Sequence, residues 1–463
     1  MSPAFAEGRP RRPPWWRRLT PPQLLVVSFA GLVAGGTLAL WLLPGLTTGP
    51  RLSFVDALFT ATSAICVTGL TVVDTATAFT PLGQVVIATL IQLGGLGILT
   101  LTTLVILALG GRASLGSERL FRQHAVAGVD PFHLLRTIAL FTFAIEFAGF
   151  LLLWARWSGR FGIGPAAWHA FFQAISAFCN AGFSTFSDSL TGFRHDDVSV
   201  LVMAVLIVIG GLGFLPAAEL TARRRERKFT RLSLHTKIVV VTTLTLLAAA
   251  TLVFYALEGR DALRDLPAAD RMTNAFFMAV TPRTAGFNTV DYGSLSQASL
   301  FFTVLLMLIG GSPGSTAGGF KTTTVFLLAA VAWSRWRGLA HTQAFRHTLP
   351  VQTVERAVGL VVGGLFFLGG AVFILTITEL GGLPHDVARA GLFDYAFEAA
   401  SAFGTVGLST GVTPELSTPG KLVISSLMFV GRVGPVAVAG AMALAAQAYR
   451  RRIRYAEQDV IVG

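Results

Sequence analysis

One short pattern recurs four times along this chain of 463 residues and constrains its fold more than any other feature. In the first copy, residues 63–71, a compact apolar segment leads into a loop whose glycine is flanked by small and hydroxyl residues. The same layout surrounds three further glycines, so the equivalent positions are Gly69, Gly182, Gly286 and Gly407. A fourfold internal repeat predicts four equivalent structural units.

Composition indicates the environment of these units. The sequence is 53% hydrophobic and 13% charged, and its mean hydropathy is +0.66. A soluble protein cannot bury that much apolar surface, so the sequence predicts an all-α polytopic membrane protein. The net charge of +12 comes from basic residues beside apolar spans, which indicates membrane orientation rather than a nucleic-acid partner. Cys66 and Cys179 occupy equivalent loop positions, and no Cys/His cluster suggests a transition metal.

Each unit is predicted to contain a long apolar helix, a short apolar helix, the glycine loop and a second long apolar helix. The long segments approach the roughly 20 residues of a membrane span, whereas the short ones must enter the membrane and return. We therefore expect eight transmembrane helices and four re-entrant helices. The predicted segments are residues 1–22 (basic N-terminus), 23–110 (repeat one), 111–132 (linker), 133–222 (repeat two), 223–236 (basic linker), 237–333 (repeat three), 334–353 (linker), 354–449 (repeat four) and 450–463 (C-terminus).

The distribution of arginine and lysine predicts the orientation. Basic residues precede the first helix and follow the second long helix of each repeat. The positive-inside rule places these linkers and both termini in the cytoplasm. The short helices then enter the membrane from outside.

Four glycine loops at membrane depth have to line an aqueous path or lie buried in protein. Around one axis, their carbonyl groups would replace the hydration shell of a monovalent cation. Glycine adopts positive φ without a Cβ clash, and each short helix would direct its partly negative C-terminal end towards the ion. The pattern therefore predicts a pseudo-fourfold pore rather than four unrelated turns.

Alignment on the glycine predicts further equivalent positions. Ten residues earlier, the four units have Phe59, Phe172, Phe276 and Phe397. Six residues earlier, they have Ser63, Ser176, Val280 and Ser401. These offsets predict four short helices packed in the same way around one axis.

The repeated unit of first long helix (M1), pore loop and second long helix (M2) resembles the repeat of the Ktr/Trk/HKT superfamily of cation transporters. That superfamily keeps one glycine in each filter segment. The resemblance covers essentially Leu24 to the C-terminus, and the chain looks most like the Ktr-type membrane subunits. It implies transport of K⁺ through a filter of backbone carbonyl groups. The implied filter residues are Val67, Thr68, Gly69, Asn180, Ala181, Gly182, Thr284, Ala285, Gly286, Thr405, Val406 and Gly407.

The resemblance also implies partners and a location. It implies a homodimer in the lipid of the bacterial cell membrane, a cytoplasmic KtrA-like ring of nucleotide-binding RCK subunits, and activation by Na⁺. It implies no catalytic chemistry. Two alternatives are the potassium-translocating subunit of a P-type ATPase complex, which should carry extra helices, and a Na⁺/K⁺ symporter of the same superfamily.

A second glycine pattern lies in the later long helix of each unit and begins at Gly94, Gly210, Gly310 and Gly431. In repeats one and two, close helix packing through small residues explains it. In repeat three, several glycines and a proline should interrupt the helix, which predicts an intramembrane loop beneath the filter. A nucleotide-binding phosphate loop is rejected because Phe320 separates Gly319 from Lys321 and no strand precedes it.

The resemblance implies that this loop is the gate. Repeat four has Arg432 at the second glycine position, and a membrane-buried charge costs about 2.5–3.5 kcal/mol on insertion scales. We hypothesise that Arg432 faces the pore and forms an electrostatic barrier with the loop; a structural ion pair is the alternative. The predicted gate residues are Gly310, Gly311, Ser312, Pro313, Gly314, Ser315, Thr316, Ala317, Gly318, Gly319, Lys321 and Arg432.

Other charged residues near the loops carry weaker predictions. Glu146 is interpreted as structural, with a role in transport as the alternative, and Glu398 as a residue that orients the fourth filter. Arg283, which follows Pro282 in the third filter, either braces the loop through carboxylates or reaches outward. Three acids after the filters either concentrate cations or are ordinary solvated loop residues. These acids are Asp74, Asp188 and Asp291.

Overall fold

The structure, a computed structural model, describes residues 21–97, 131–222, 232–382 and 384–434. The predicted basic N-terminus, the linkers at 111–132 and 223–236, and the C-terminus lie wholly or mainly outside these residues. Of the predicted cytoplasmic segments, the linker at 334–353 is described in full. It contains a two-stranded antiparallel hairpin of β1 (Gln343–Ala344) and β2 (His347–Thr348).

The described residues are mostly α-helical. In repeats one and two, the helices are α1 (Pro21–Leu42), α2 (Phe54–Ile65), α3 (Thr75–Ala78), α4 (Pro81–Gly95), α5 (Pro131–Phe161), α6 (Ile163–Phe178), α7 (Asp197–Leu212) and α8 (Phe214–Ala222). In repeats three and four, they are α9 (Leu234–Glu258), α10 (Ala268–Val280), α11 (Gln297–Leu308), α12 (Thr322–Trp336), α13 (Val351–Leu380), α14 (His385–Gly404) and α15 (Thr418–Val433). Short 3₁₀ turns cover Thr191–Phe193, Tyr292–Ser294 and Thr413–Glu415.

The four sequence repeats form four structural units. In each, a long first helix packs against the short helix that comes after it: α1 on α2, α5 on α6, α9 on α10 and α13 on α14. Among the described residues, four segments are long and apolar enough to cross a membrane, and each lies in a first helix: Gln23–Leu42, Arg136–Phe161, Leu234–Glu258 and Val351–Leu380. Large apolar side chains on their outer faces, such as Phe147 and Phe366, are exposed.

The second long helices of repeats one, two and four differ from their predictions. The sequence predicted uninterrupted helices at about 82–109, 198–221 and 422–449, and an interrupted helix within about 299–333. Instead, α4, α7 and α15 are followed by Gly97, Gly213 and Gly434, whose φ angles are +85°, +87° and +96°. Glycine adopts this conformation without a Cβ penalty, so it can end a helix abruptly. The second helix therefore ends before a glycine of positive φ in repeats one, two and four, in addition to the interruption expected in repeat three.

The four short helices contribute buried side chains to the core of the molecule. Phe59, Phe172, Phe277 and Phe397 are fully buried, and each lies in a different short helix. Each short helix also contacts the second helix of the preceding unit, as α6 contacts α4 and α14 contacts α11. The contact between α2 and α15 joins the first unit to the last and closes the ring.

Candidate functional site

The four repeated glycines meet in a ring. A Cβ atom added to Gly69 would lie 2.5 Å from the carbonyl oxygen of Ala181 and 2.9 Å from the Cα of Gly182. One added to Gly182 would lie 3.0 Å from the carbonyl oxygen of Ala285. In the same way, a Cβ on Gly286 would overlap the carbonyl oxygen of Val406, and one on Gly407 that of Thr68. Each glycine thus adjoins the next unit, and the fourth returns to the first.

The backbone before each glycine has the same unusual conformation. The φ angles of Val67, Asn180, Thr284 and Thr405 are +56°, +60°, +72° and +51°. A residue other than glycine in this left-handed region costs on the order of 1–3 kcal/mol and persists only when its surroundings impose it. Its occurrence two residues before all four glycines shows that the loops share one backbone design.

Buried serine hydroxyl groups hydrogen-bond to the backbone of three of these loops. The Oγ of Ser63 donates to the carbonyl oxygen of Leu70 at 2.7 Å and accepts from the N–H of Gly69 at 3.1 Å. Ser176 donates to Phe183 at 2.7 Å, and Ser401 accepts from Gly407 at 3.0 Å. The hydroxyl six residues before the glycine therefore fixes the turn that carries it.

The third loop is one residue shorter, which the ungapped alignment missed. Thr281 takes the serine's place and donates to the carbonyl oxygen of Phe287 at 2.5 Å. The N–H of Ala285 bonds to the carbonyl of Thr281, four residues back, whereas that of Thr68 bonds to Ser63, five residues back. The predicted equivalences of Val280 and Phe276 are therefore wrong by one position. The hydroxyl of Thr281, next to Val280, was the available signal.

A polar cavity of about 170 Å³ opens above the ring. It is lined by all four glycines together with polar residues that include Asp74, Ser184 and Asn288. Asp74 accepts a hydrogen bond from the Oγ of Ser187 at 2.6 Å, which joins repeats one and two at this cavity. Asp188 and Asp291 line a neighbouring cavity instead. Of the three predicted acids, Asp74 is the one placed at the ring.

Below the ring, the interruption predicted in repeat three is confirmed. Helix α11 ends at Leu308 and α12 begins at Thr322, and the segment between them folds back on itself. The N–H of Gly310 donates to the carbonyl of Phe320 at 2.9 Å. A Cβ on Gly318 would overlap the hydroxyl of Thr405, so the segment passes against the fourth glycine loop.

The interrupted segment is also anchored to repeat two. The N–H groups of Ser312 and Thr316 donate to the carbonyl oxygens of Gly211 and Gly210 at 3.0 and 3.3 Å. The hydroxyl of Thr316 donates to the carbonyl of Phe178, the last residue of α6, at 3.2 Å. One short loop therefore contacts the ends of both flanking units.

Arg432 joins this loop to repeat one. The residue is 5% exposed, and its guanidinium donates to the carbonyl oxygens of Thr316 and Gly94. Lys321 donates to the adjacent carbonyl of Ala317 at 2.6 Å. Among the described residues, no carboxylate forms a salt bridge with Arg432, so the structural ion pair considered from the sequence is not seen. The guanidinium thus links two backbone segments, and this pair of hydrogen bonds is called the Arg432 clasp.

The first glycine of the second pattern packs against a short helix in three repeats. A Cβ on Gly94, Gly210 or Gly431 would overlap the carbonyl oxygen of Ile65, Phe178 or Phe403, respectively. The close packing inferred for repeats one and two is confirmed and extends to repeat four. Gly310 differs, because a Cβ there would overlap the carbonyl of Gly318 within its own loop.

Two buried carboxylates support the loops from behind. Glu398 accepts from Thr413 Oγ1 at 2.7 Å and from the Oγ of Ser409, and so holds the chain beyond the fourth glycine. Glu146 accepts from Gln92 Nε2 at 3.1 Å and Cys179 Sγ at 3.7 Å, which links α5, α4 and the second loop. Both cysteines are free thiols.

Nearly the whole chain matches one family of transport proteins. Residues 20–450 match the family described as "TrkH: Cation transport protein". The chain belongs to this family. The resemblance inferred from the four glycine units is therefore confirmed, and membership of a transport family agrees with the expectation that the chain is not an enzyme.

Individual relatives also cover nearly the whole chain. "Ktr system potassium uptake protein B" of Bacillus subtilis (strain 168) is 40% identical over 97% of this chain and 98% of its own length. "Potassium/sodium uptake protein NtpJ" of Enterococcus hirae is 37% identical over 96% of this chain and 98% of that protein.

A solved structure shares the fold. The crystal structure of the potassium transporter TrkH from Vibrio parahaemolyticus aligns with a TM-score of 0.74 over 95% of this chain and 88% of that one. The sequence identity is 18%, so this likeness concerns the fold alone.

Proposed function

We propose that this chain takes up K⁺ across the bacterial cell membrane through the ring of four glycines. The closed order of the ring carries the proposal, because each glycine adjoins a carbonyl oxygen of the next unit. Carbonyl groups around one axis replace the water of a bare monovalent cation. A membrane potential favours inward flow by about 2.3 kcal/mol per charge per 100 mV. The proposed filter comprises the glycine of each loop and the two residues before it.

The proposed topology has eight spans and four re-entrant short helices, with both termini in the cytoplasm. The four long first helices support half of these spans. The second helices supply the other half. Non-helical backbone at the breaks is tolerated at membrane depth because it is buried in protein or lines the path.

The proposed gate is the loop at 310–319 together with Lys321 and Arg432. Its position against Thr405 on one side and the carbonyl of Phe178 on the other supports this role. In the clasped state, two cationic side chains are bonded to adjacent loop carbonyls at Thr316 and Ala317. A K⁺ ion leaving the ring therefore meets both an obstruction and like charges. Release of the Arg432 clasp would free the loop to move.

The proposed assembly is a membrane homodimer regulated by a cytoplasmic KtrA-like ring of RCK subunits that bind nucleotides. The relative called a Ktr system protein supports a multi-component system. The relative called a potassium/sodium uptake protein supports a role for Na⁺, as an activator or as the coupled ion of a symporter. A P-type ATPase subunit is the less favoured alternative, because the matched family and relatives carry cation transporter or uptake names.

Complementation of a potassium-uptake-deficient bacterial strain tests this function. The full chain, expressed with and without a KtrA-like subunit, should restore growth at limiting K⁺. Rb⁺ should compete with K⁺ uptake more strongly than Na⁺ does. Failure to support uptake under either condition would contradict the proposal, and entry of Na⁺ in a fixed ratio to K⁺ would favour the symporter.

A further inference from the structure

The third glycine loop carries a buried positive charge that the other loops lack. Arg283 stands three residues before Gly286, and its residue is only 7% exposed. The corresponding positions before the other glycines hold Cys66, Cys179 and Gly404, none of which is a cation. Arg283 therefore breaks the fourfold pattern of the four loops by adding a charge to the third.

This charge has little local compensation. The Nη2 of Arg283 donates to the hydroxyl of Thr243 on α9 at a long 3.4 Å, and its Nε has no hydrogen-bond partner. Within the described ranges, no carboxylate forms a salt bridge with it. The buried acids of the neighbouring repeats, Glu146 and Glu398, are bonded to other side chains. A buried cation with such weak pairing is costly, and an apolar side chain would fill the same space without that cost.

The position of the charge gives it an electrostatic effect on the ring. A helix carries roughly half a negative charge at its C-terminal end, and all four short helices end next to the glycine loops. Helix α10 ends at Val280, and Arg283 lies within one turn of that end. Its full positive charge more than offsets the partial negative charge of that helix end. The third quarter of the ring is thus less attractive to cations than the other three.

We propose that Arg283 is a specificity-determining residue whose fixed charge weakens cation binding at the ring and disfavours divalent ions most. The inference rests on the proposed passage of K⁺ through the ring. Electrostatic energy is proportional to ionic charge, so one fixed cation repels a divalent ion twice as strongly as K⁺. The charge speeds the release of K⁺ and excludes divalent cations of similar size.

The test compares K⁺ with Ba²⁺ in vesicles that contain the full-length protein. In Arg283→Met, we expect the K⁺ concentration for half-maximal Rb⁺-traced uptake to fall about tenfold, and the Ba²⁺ inhibition constant to fall about a hundredfold. The maximal uptake rate should fall as well, because K⁺ leaves more slowly. Arg283→Lys keeps the charge and should stay close to the unaltered protein in both constants.

Two further variants separate electrostatics from packing. Arg283→Gln keeps a polar group near Thr243 but loses the charge, so it should behave like Arg283→Met and provides the comparison if that variant does not fold. Arg271→Met removes a cation from the outer end of the same helix, where it is bonded to the carbonyls of Arg264 and Leu266, and should change neither constant.

The outcomes are distinct. The electrostatic role would be overturned if the half-maximal K⁺ concentration and the Ba²⁺ inhibition constant were unchanged in the uncharged variants. It would also be overturned if both constants changed by the same factor and Arg283→Lys showed the same change. Either result would leave the proposed function standing. Absence of K⁺ uptake by the unaltered chain would instead overturn the proposed function, and this inference with it. The proposal is supported if the fold-change in the Ba²⁺ inhibition constant is close to the square of the fold-change in the half-maximal K⁺ concentration.

Discussion

At the scale of single residues, the ring depends on positions where no side chain fits. The clashes at the four glycines are with backbone carbonyl oxygens and Cα atoms of the next unit, which cannot move aside as a flexible side chain can. Each glycine also has a positive φ angle, where other residues are strained. A methyl group here is expected to displace the carbonyls that would replace the water of the ion.

We expect Gly69→Ala to lower K⁺ uptake or its discrimination against Na⁺ by tenfold or more, on the order of 1.4 kcal/mol of lost binding free energy. Gly31→Ala is the matched control, because a Cβ at Gly31 in α1 of the same repeat has nothing within 4 Å. The measurement is Rb⁺ uptake with Na⁺ competition in complemented cells. Equal behaviour of the two variants would count against the ring as the filter.

The hydroxyl of Thr281 gives a second prediction at this scale. Thr281→Val leaves the buried carbonyl of Phe287 without its donor, which costs about 1–3 kcal/mol of unfolding free energy. Thr273→Val on the same helix removes only an exposed bond to Ala269 and should change stability by less than about 0.5 kcal/mol. Thermal unfolding in detergent measures both. Comparable losses would indicate that Thr281 has no special role in holding the third loop.

At the scale of elements, the second helices of repeats one, two and four end alike, whereas that of repeat three is interrupted by a loop. Gly97, Gly213 and Gly434 end their helices with similar positive φ angles. Repeat three alone, among the described segments, inserts a folded loop between its two helices. Earlier glycines of the same helices, Gly94, Gly210 and Gly431, pack them against the short helices, and the asymmetric loop lies beneath the ring. This arrangement supports selectivity in the shared parts and gating in the part that differs.

We expect Arg432→Ala to raise K⁺ flux in the absence of the regulatory subunit, because the loop loses its bond to the fourth repeat and the path loses a positive charge. Arg432→Lys keeps the charge but cannot span both carbonyls as a fork, so an intermediate flux is expected. Uptake rates with and without the partner measure this. Unchanged flux and regulation in Arg432→Ala would contradict the gating role.

At the scale of the whole molecule, closure of the ring joins the first unit to the last. Lys421 in the first turn of α15 forms an ion pair with Asp56 in the first turn of α2 at 2.7 Å. These residues are far apart in the chain, so the pair connects the first unit directly to the last. The partly exposed side chains limit its strength.

A double-mutant cycle with Asp56→Asn and Lys421→Met should give a coupling energy of about 0.2–1 kcal/mol, the range for exposed pairs. The exchanged pair, Asp56→Lys with Lys421→Asp, should recover part of the lost stability. The thermal midpoint in low and high salt is the measurement, because salt screens such pairs. Strictly additive effects of the two single changes would show that the pair does not couple the units.

The local sequence determined the units, and the tertiary structure determined how they meet. Apolar runs, the glycine spacing and the broken helix at 310–319 were predictable because hydrophobic periodicity and glycine or proline content act within one segment. The sequence also identified Arg432 as unusual. Its partners, the carbonyls of Thr316 and Gly94, lie in other repeats, and only packing brings them together.

The difference between local sequence and tertiary packing also explains which predictions were wrong. The one-residue shift at Thr281 was missed because the ungapped alignment treated the loops as equal in length, whereas hydrogen bonding fixes the register. The breaks at Gly97, Gly213 and Gly434 were missed because a glycine in an apolar run reads equally well as a packing residue or as a left-handed turn. The φ angle that distinguishes these roles is set by the surrounding chain. The sequence alone therefore determined which residues repeat, and the folded ring decided which of them touch.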